Sequence, residues 1–247
     1  MAAASEGILM ADTIRLKIFR FDPETDREPR YDVFEIPCRP GLTVLEALFY
    51  ILEKVDPSIA FRYSCRGAIC GSCAMYINGS YRLACGTQCS AYKGKEIVIN
   101  PLPHLQVIKD LVVDMEPFFA KYTSIRPYLI NHHEPPEKER LQSPEERKRL
   151  DEMIDCILCA ACYSSCPSVW MDPEYKGPAA LLKATRFDED SRDEGTNERM
   201  PVLDNEDGLW RCHTIFNCVE ACPKKINVTE AIQTSKRAAL KKKLRLT

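Results

Sequence analysis

Ile14, Leu16 and Ile18 alternate with Arg15, Lys17 and Phe19, the period of two expected of a half-buried strand. A turn-rich stretch, Asp22-Pro23-Glu24-Thr25-Asp26, separates this run from a second candidate strand, Tyr31 to Ile36, and the pair reads as a hairpin. Pro40-Gly41 marks a turn. The period then becomes helical. Thr43-Val44-Leu45-Glu46 is a capping box, whose hydroxyl and carboxylate satisfy N–H groups that a first helical turn leaves unpaired. Val44, Leu48, Ile51, Leu52 and Val55 continue that helix until Asp56-Pro57 ends it. A last short strand is expected from Glu96 to Ile99, before Pro101-Leu102-Pro103.

Beyond about residue 105 the pattern reads as helical. His104 to Met115 and Pro117 to Tyr122 carry apolar residues at mixed spacing, and Glu134-Pro135-Pro136 marks a loop. Ser143-Pro144-Glu145-Glu146 opens another helix, with Ser as N-cap, Pro at the first helical position and acids in the first turn. Residues 188–208 are acidic and polar and read as a surface excursion. From Thr229 a helix runs to a basic end, with Lys236, Arg237, Lys241, Lys242, Lys243 and Arg245. The pattern predicts an α+β protein of two domains: a β-rich one at 12–110 and an all-α one at 111–247.

Composition sharpens this picture at one point. The chain has 247 residues and a net charge of −2, with 45% hydrophobic and 28% charged residues, which is ordinary for a globular protein and gives no basic field for nucleic acid. No apolar run reaches the roughly 18–20 residues of a membrane span. The opening MAAASEGILMAD lacks a basic n-region and an Arg-rich character, so the expectation is a chain kept in a reducing cytosol. Yet thirteen cysteines are present. An odd count without a secretory signal argues against a disulfide framework. Eleven of them fall into short, regularly spaced groups, which points to metal or cluster ligation.

Cys65-x4-Cys70-x2-Cys73, followed by Cys85, is the plant-type spacing for a [2Fe–2S] centre. Gly67 and Gly71 would let the loop wrap closely and aim N–H groups at sulfur. Structural zinc also takes four cysteines, but usually from two short knuckles. The surrounding order of elements resembles the β-grasp fold of plant-type ferredoxins. Cys156-x2-Cys159-x2-Cys162-x3-Cys166-Pro167 matches the bacterial ferredoxin run, whose fourth cysteine ligates the other cluster of a pair. A second run reads Cys212, Ile215, Cys218, Cys222, Pro223 at the same spacing. Cys156, Cys159, Cys162 and Cys222 then make four thiolates for a [4Fe–4S] cluster. Cys166, Cys212 and Cys218 make three, with Ile215 at the vacant corner, which suits [3Fe–4S]; a [4Fe–4S] cluster with one water-held iron is the alternative. Cys38 and Cys89 are left over and read as small buried hydrophobes.

No dinucleotide fingerprint, Walker sequence or nucleophile accompanies these groups, and glycine is scarce at 10 residues. Fully ligated clusters exchange single electrons, so three of them read as a wire.

SCRGAICGSC, CILCAACYSSCPS and RCHTIFNCVEACP, with INPLPHLQVIKDLVVDM and RFDEDSRD, resemble the iron–sulfur subunit of succinate dehydrogenase over nearly the whole chain. The resemblance implies a β-grasp ferredoxin domain followed by a bacterial-ferredoxin-like helical domain. It implies a role in the tricarboxylic acid cycle and respiratory chain, with electrons passing from FAD in a flavoprotein subunit through [2Fe–2S], [4Fe–4S] and [3Fe–4S] to a membrane quinone. It also implies membrane-anchor subunits of cytochrome b type and a peripheral place on the cytoplasmic face of a bacterial inner membrane. The basic C-terminal helix could meet that anchor or acidic head groups, although a solvated helix end is the simpler reading. By the same resemblance the quinone pocket includes Pro167, Trp170, His213 and Ile215. His213 directly follows Cys212, and an imidazole suits proton donation to a quinone. Family members that use ubiquinone commonly carry two consecutive tryptophans here, the second meeting the quinone, where this chain has Trp170-Met171, which leaves menaquinone open as well. Quinol:fumarate reductase, a soluble polyferredoxin-type carrier and a zinc-stabilised interaction module are the competing readings.

Overall fold

The computed structural model describes residues 13–244; the opening stretch and Arg245 lie outside them. Strand β1 (Thr13–Arg20) buries Ile14, Leu16 and Ile18 and pairs antiparallel with β2 (Arg30–Pro37), as their alternation predicts. Helix α1 (Val44–Lys54) begins at the expected capping box: Thr43 Oγ1 accepts from the Glu46 N–H at 3.2 Å, and Glu46 Oε2 accepts from the Thr43 N–H at 2.9 Å. A hairpin, β3 (Ala74–Ile77) and β4 (Ser80–Leu83), follows, and β5 (Ile97–Asn100) completes a five-stranded sheet of order β2-β1-β5-β3-β4. β5 runs parallel to β1, and Val44, Leu45, Leu48 and Ile51 of α1 share one core with Leu16, Ile18, Ile77, Ile97 and Ile99.

Residues 104–115 are not helical. They form a small hairpin, β6 (Val107–Lys109) and β7 (Val112–Val113), and the first helix beyond it is α2 (Glu116–Ser124). The β-branched residues there favour extended backbone, and Asp110 turns left-handed at φ 47. Its buried carboxylate accepts from Arg20 Nε at 3.1 Å and from the N–H groups of Phe21 and Ala60 at 3.0 and 2.9 Å. Leu111 joins the sheet's core, whereas Leu102 and Val113 join a second, helical core. The segment thus stitches the two halves together.

The second half carries α3 (Pro144–Lys148), capped by Ser143 as expected, then α4 (Ala161–Ser164), α5 (Pro167–Met171), α6 (Pro178–Asp188), α7 (Thr196–Leu203), α8 (Asn217–Glu220) and α9 (Val228–Lys243). α6 packs along α9, where Thr185 Oγ1 lies 2.8 Å from Ser235 Oγ. The acidic stretch 188–208 is not a surface excursion. Arg199 on α7 is fully buried, held by Asp193 at 2.6 and 2.9 Å, by Asp188 at 3.3 Å and by the carbonyls of Arg126 and Tyr128. Its paired carboxylates let a charged residue enter the core.

Candidate iron–sulfur sites

The first loop folds over its own sulfurs. Arg66, Ala68 and Gly71 are left-handed, at φ 57, 58 and 74, so the strained turns fall on Arg66 and Ala68 as well as on a glycine. Successive N–H groups consequently converge. Those of Gly67, Ile69 and Cys70 point at Cys65 Sγ from 3.4, 3.3 and 3.2 Å, and that of Cys65 points at Cys70 Sγ from 3.4 Å. Cys85 arrives from a short turn after β4; its sulfur accepts from Ala68 N–H at 3.3 Å, and its own N–H donates to Cys73 Sγ at 3.5 Å. All four thiols therefore accept backbone N–H donors, which disperse thiolate charge. For Cys70, burial is outweighed by donors from Cys65 and Ser72, and its thiol falls to about 6. Burial, with Cys85 and Cys70 nearby, pushes Cys73 up to about 12.

The other two groups are copies of one backbone unit. Adding 56 to each position takes Cys156, Cys159, Cys162 and Cys166 to Cys212, Ile215, Cys218 and Cys222. The same shift takes the turn Met153–Asp155 to Leu209–Arg211 and α4 to α8. It also takes the left-handed residues Leu158 (φ 53) and Ala160 (φ 62) to Thr214 (φ 59) and Phe216 (φ 70). Ile215 is thus carried between two left-handed residues just as Cys159 is. Reciprocal bonds clasp the copies: Ser165 Oγ lies 3.3 Å from the Asn217 carbonyl, and Asn217 Nδ2 donates to the Ser165 carbonyl at 3.2 Å.

Cys156, Cys159, Cys162 and Cys222 line one small cavity, walled by Ile226 and Val228 among others. Burial raises the thiols of Cys156, Cys159 and Cys162, that of Cys159 to about 11, and the neighbouring Cys156 and Cys222 thiols push Cys159 and Cys162 further up. Cys166, Cys212 and Cys218 are the second set: burial raises Cys166 and Cys218, with Cys212 adding to the rise of Cys166, and Cys166 and Cys212 adding to that of Cys218. Cys218 also acts on Cys162, so the two sets adjoin. Among the described residues no three His, Cys, Asp or Glu side chains close around a single ion; thiolates of a cluster bind different irons and stand wider apart. The donor chemistry fits clusters, because iron would replace the protons that burial holds on Cys73, Cys156, Cys159, Cys162, Cys166 and Cys218.

Of the residues expected at a quinone pocket, Pro167 begins α5 half-buried, His213 is exposed, and Trp170 and Ile215 are 39% and 48% exposed. They flank Cys166 and Cys212 in the chain. Two residues at these sites had no signal in the sequence. Tyr175 is buried close to Cys212, Cys166, Cys218 and Cys162, which lifts its phenol beyond the effect of burial. Lys183 on α6 lies by Cys156; burial pulls its ammonium down while Cys156 opposes the fall. The basic tail is partly engaged within the chain. Lys236 Nζ donates to the Cys212 carbonyl at 2.7 Å, Lys243 pairs with Asp204 at 2.7 Å, and Lys242 donates to Asn197 at 2.8 Å. Cys89 is buried and Cys38 is half-buried beside it, in keeping with their reading as small hydrophobes.

Residues 15–120 match the family described as 2Fe-2S iron-sulfur cluster binding domain, and residues 148–223 match the family described as 4Fe-4S dicluster domain. The succinate dehydrogenase iron-sulfur subunit of Paracoccus denitrificans is 47% identical over 224 residues, covering 90% of this chain and 86% of that relative. The subunit of the same name from Coxiella burnetii is 47% identical over 219 residues, covering 87% and 92%. The mitochondrial succinate dehydrogenase [ubiquinone] iron-sulfur subunit 1 of Oryza sativa is 46% identical over 235 residues, covering 93% and 83%. Among solved structures, a chain of the Mycobacterium smegmatis Sdh1 complex in the apo form superposes with a TM-score of 0.79 at 26% identity, covering 94% of this chain and 98% of that one.

Proposed function

Because the chain belongs to the family of succinate dehydrogenase iron–sulfur subunits, we propose that it works as the conductor between a FAD-bearing flavoprotein subunit and a quinone held against membrane-anchor subunits of cytochrome b type. Cys65, Cys70, Cys73 and Cys85 would hold [2Fe–2S]; Cys156, Cys159, Cys162 and Cys222 would hold [4Fe–4S]; Cys166, Cys212 and Cys218 would hold [3Fe–4S]. When bound, these groups supply single-electron exchange in that order, between a two-electron donor and a quinone. The observation that carries the proposal is the adjacency of the three cysteine sets: Gly71 of the first loop abuts Cys159, and Cys162 neighbours Cys218.

The chain's own contribution is to orient and to shield. Converging N–H groups hold the exposed first loop in the shape four thiolates need, while the apolar walls of the cavity lined by Cys156, Cys159, Cys162 and Cys222 would keep water from the middle set. Pro167, Trp170, His213 and Ile215 would border the quinone, with His213 able to hold or pass a proton at its imidazole. The division at 12–110 and 111–247 would separate the [2Fe–2S] site from the [4Fe–4S] and [3Fe–4S] sites. No described helix is long and apolar enough to cross a membrane, so a peripheral position, on the cytoplasmic face of a bacterial inner membrane, would depend on partners.

Low-temperature electron paramagnetic resonance of the isolated complex, with iron and acid-labile sulfide assays, tests this. The expected result is an oxidised three-iron signal, two further centres on reduction, and about nine irons per chain for the three cluster types together. Zinc in place of iron, or absence of the three-iron signal, would overturn it.

A further inference from the structure

Ser164 joins three parts of the molecule. It is 1% exposed and lies between Cys162 and Cys166. Its hydroxyl donates to the Pro103 carbonyl at 2.5 Å. Its own carbonyl accepts from Tyr81 Oη at 3.2 Å and from Trp170 Nε1 at 2.7 Å. The indole N–H of Trp170 is therefore turned inward and spent on backbone. A second contact fixes the ring's tilt. His104, which follows Pro103 in a left-handed conformation at φ 59, lays its imidazole flat on the indole, with ring centroids 3.7 Å apart and planes 21° apart. Histidine is among the side chains that tolerate this backbone region best.

We propose that His104 is a positioning residue for the quinone-binding face: its stacked ring locks Trp170 as a flat aromatic wall that offers a quinone packing surface and no hydrogen bond. This rests on the reading that Trp170 borders the quinone. The indole is pinned along its N–H edge by Ser164 and on one face by His104, yet it stays 39% exposed, beside the 83% exposed Met171. A planar conjugated head group gains most from a rigid planar surface, because no side-chain freedom is then lost on binding. Polar recognition of the quinone oxygens falls to other groups, His213 foremost.

The test uses the membrane-bound complex and a short-chain quinone. His104→Asn keeps a side chain that accepts positive φ and removes the stacking ring; His104→Phe restores a flat ring. The KM for quinone should rise about two- to tenfold in His104→Asn, the range that loss of one aromatic stack gives. The kcat should change much less, and His104→Phe should bring KM back towards its starting value. A fall in kcat with quinone KM unmoved, or a KM that His104→Phe does not restore, would overturn the proposal. Trp170→Leu separates the two levels. If it raises quinone KM while His104→Asn does not, His104 has no such role and the pocket stands. If it leaves quinone KM unmoved, the pocket assignment itself fails and takes this inference with it.

Discussion

Gly71 stands directly against Cys159. A Cβ added to Gly71 would lie 2.8 Å from the Cys159 Cβ and 2.8 Å from the Ile157 carbonyl oxygen. The loop that would hold the first cluster thus touches, backbone to side chain, a ligand proposed for the second. The first-domain loop and the second-domain run could not approach so closely with any other residue at 71.

Gly71→Ala should therefore act on stability and on transfer together. The left-handed conformation, φ 74, costs alanine roughly 1–2 kcal/mol. Overpacking against Cys159 and the Ile157 backbone adds about 1–3 kcal/mol. Thermal unfolding should register the loss. Reduction of the middle centre by succinate should also slow as the two loops part. An alanine variant that melts and transfers like the parent would show that the close approach has no consequence.

Ile215→Cys should supply the missing fourth donor, since the backbone carries residue 215 as it carries Cys159. The oxidised three-iron signal should vanish and iron content should rise by one per chain. If the signal persists unchanged, Ile215 does not face the open corner.

Arg20 is 3% exposed and ties the end of β1 to Asp110, to Asp32 at 3.0 Å, to Asp56 at 2.5 Å and to Ser58 at 2.7 Å. Arg20→Met would strand the buried Asp110 carboxylate without its cation, at a cost of about 3–5 kcal/mol. Urea denaturation should show this loss. Pairing the change with Asp110→Asn should recover part of it, because the stranded charge is then gone.

Asp188 and Asp193 share one guanidinium, that of Arg199, and burial lifts the Asp188 carboxyl to about 6 against the pull of Arg199 and Thr196. The folded chain then keeps a proton that the unfolded chain, with its carboxyl near 3.8, has released. Stability should fall as pH rises from about 4 to about 6, by up to roughly 1.4 kcal/mol per unit, and should level off above that window. Asp188→Asn should flatten this part of the profile. Denaturation midpoints compared across the window provide the measurement.

Strand alternation, the Thr43 capping box, the Ser143 N-cap and the cysteine spacings are legible because each depends on residues close in sequence. The β3–β4 hairpin lay hidden among the cysteines, although Asn78-Gly79, at φ 44 and 78, is the two-residue turn that such hairpins favour. The segment 104–115 looked helical because its apolar residues are dense. Its true shape depends on Arg20, some ninety positions earlier in the chain, which no local pattern reveals. The burial of Arg199 likewise depends on carboxylates and carbonyls from several segments. At the candidate sites the proposed donors follow from spacing along the chain, whereas the stacking of His104 on Trp170 and the position of Tyr175 arise only when distant segments meet.

The 56-residue duplication carries one last consequence. On the proposed assignment each copy lends its final cysteine to the other, Cys166 to the later unit and Cys222 to the earlier, across the Ser165–Asn217 clasp. Neither copy is a self-sufficient vessel. Damage that empties one would unmoor a wall of its twin, so the pair should be assembled, and lost, as a couple.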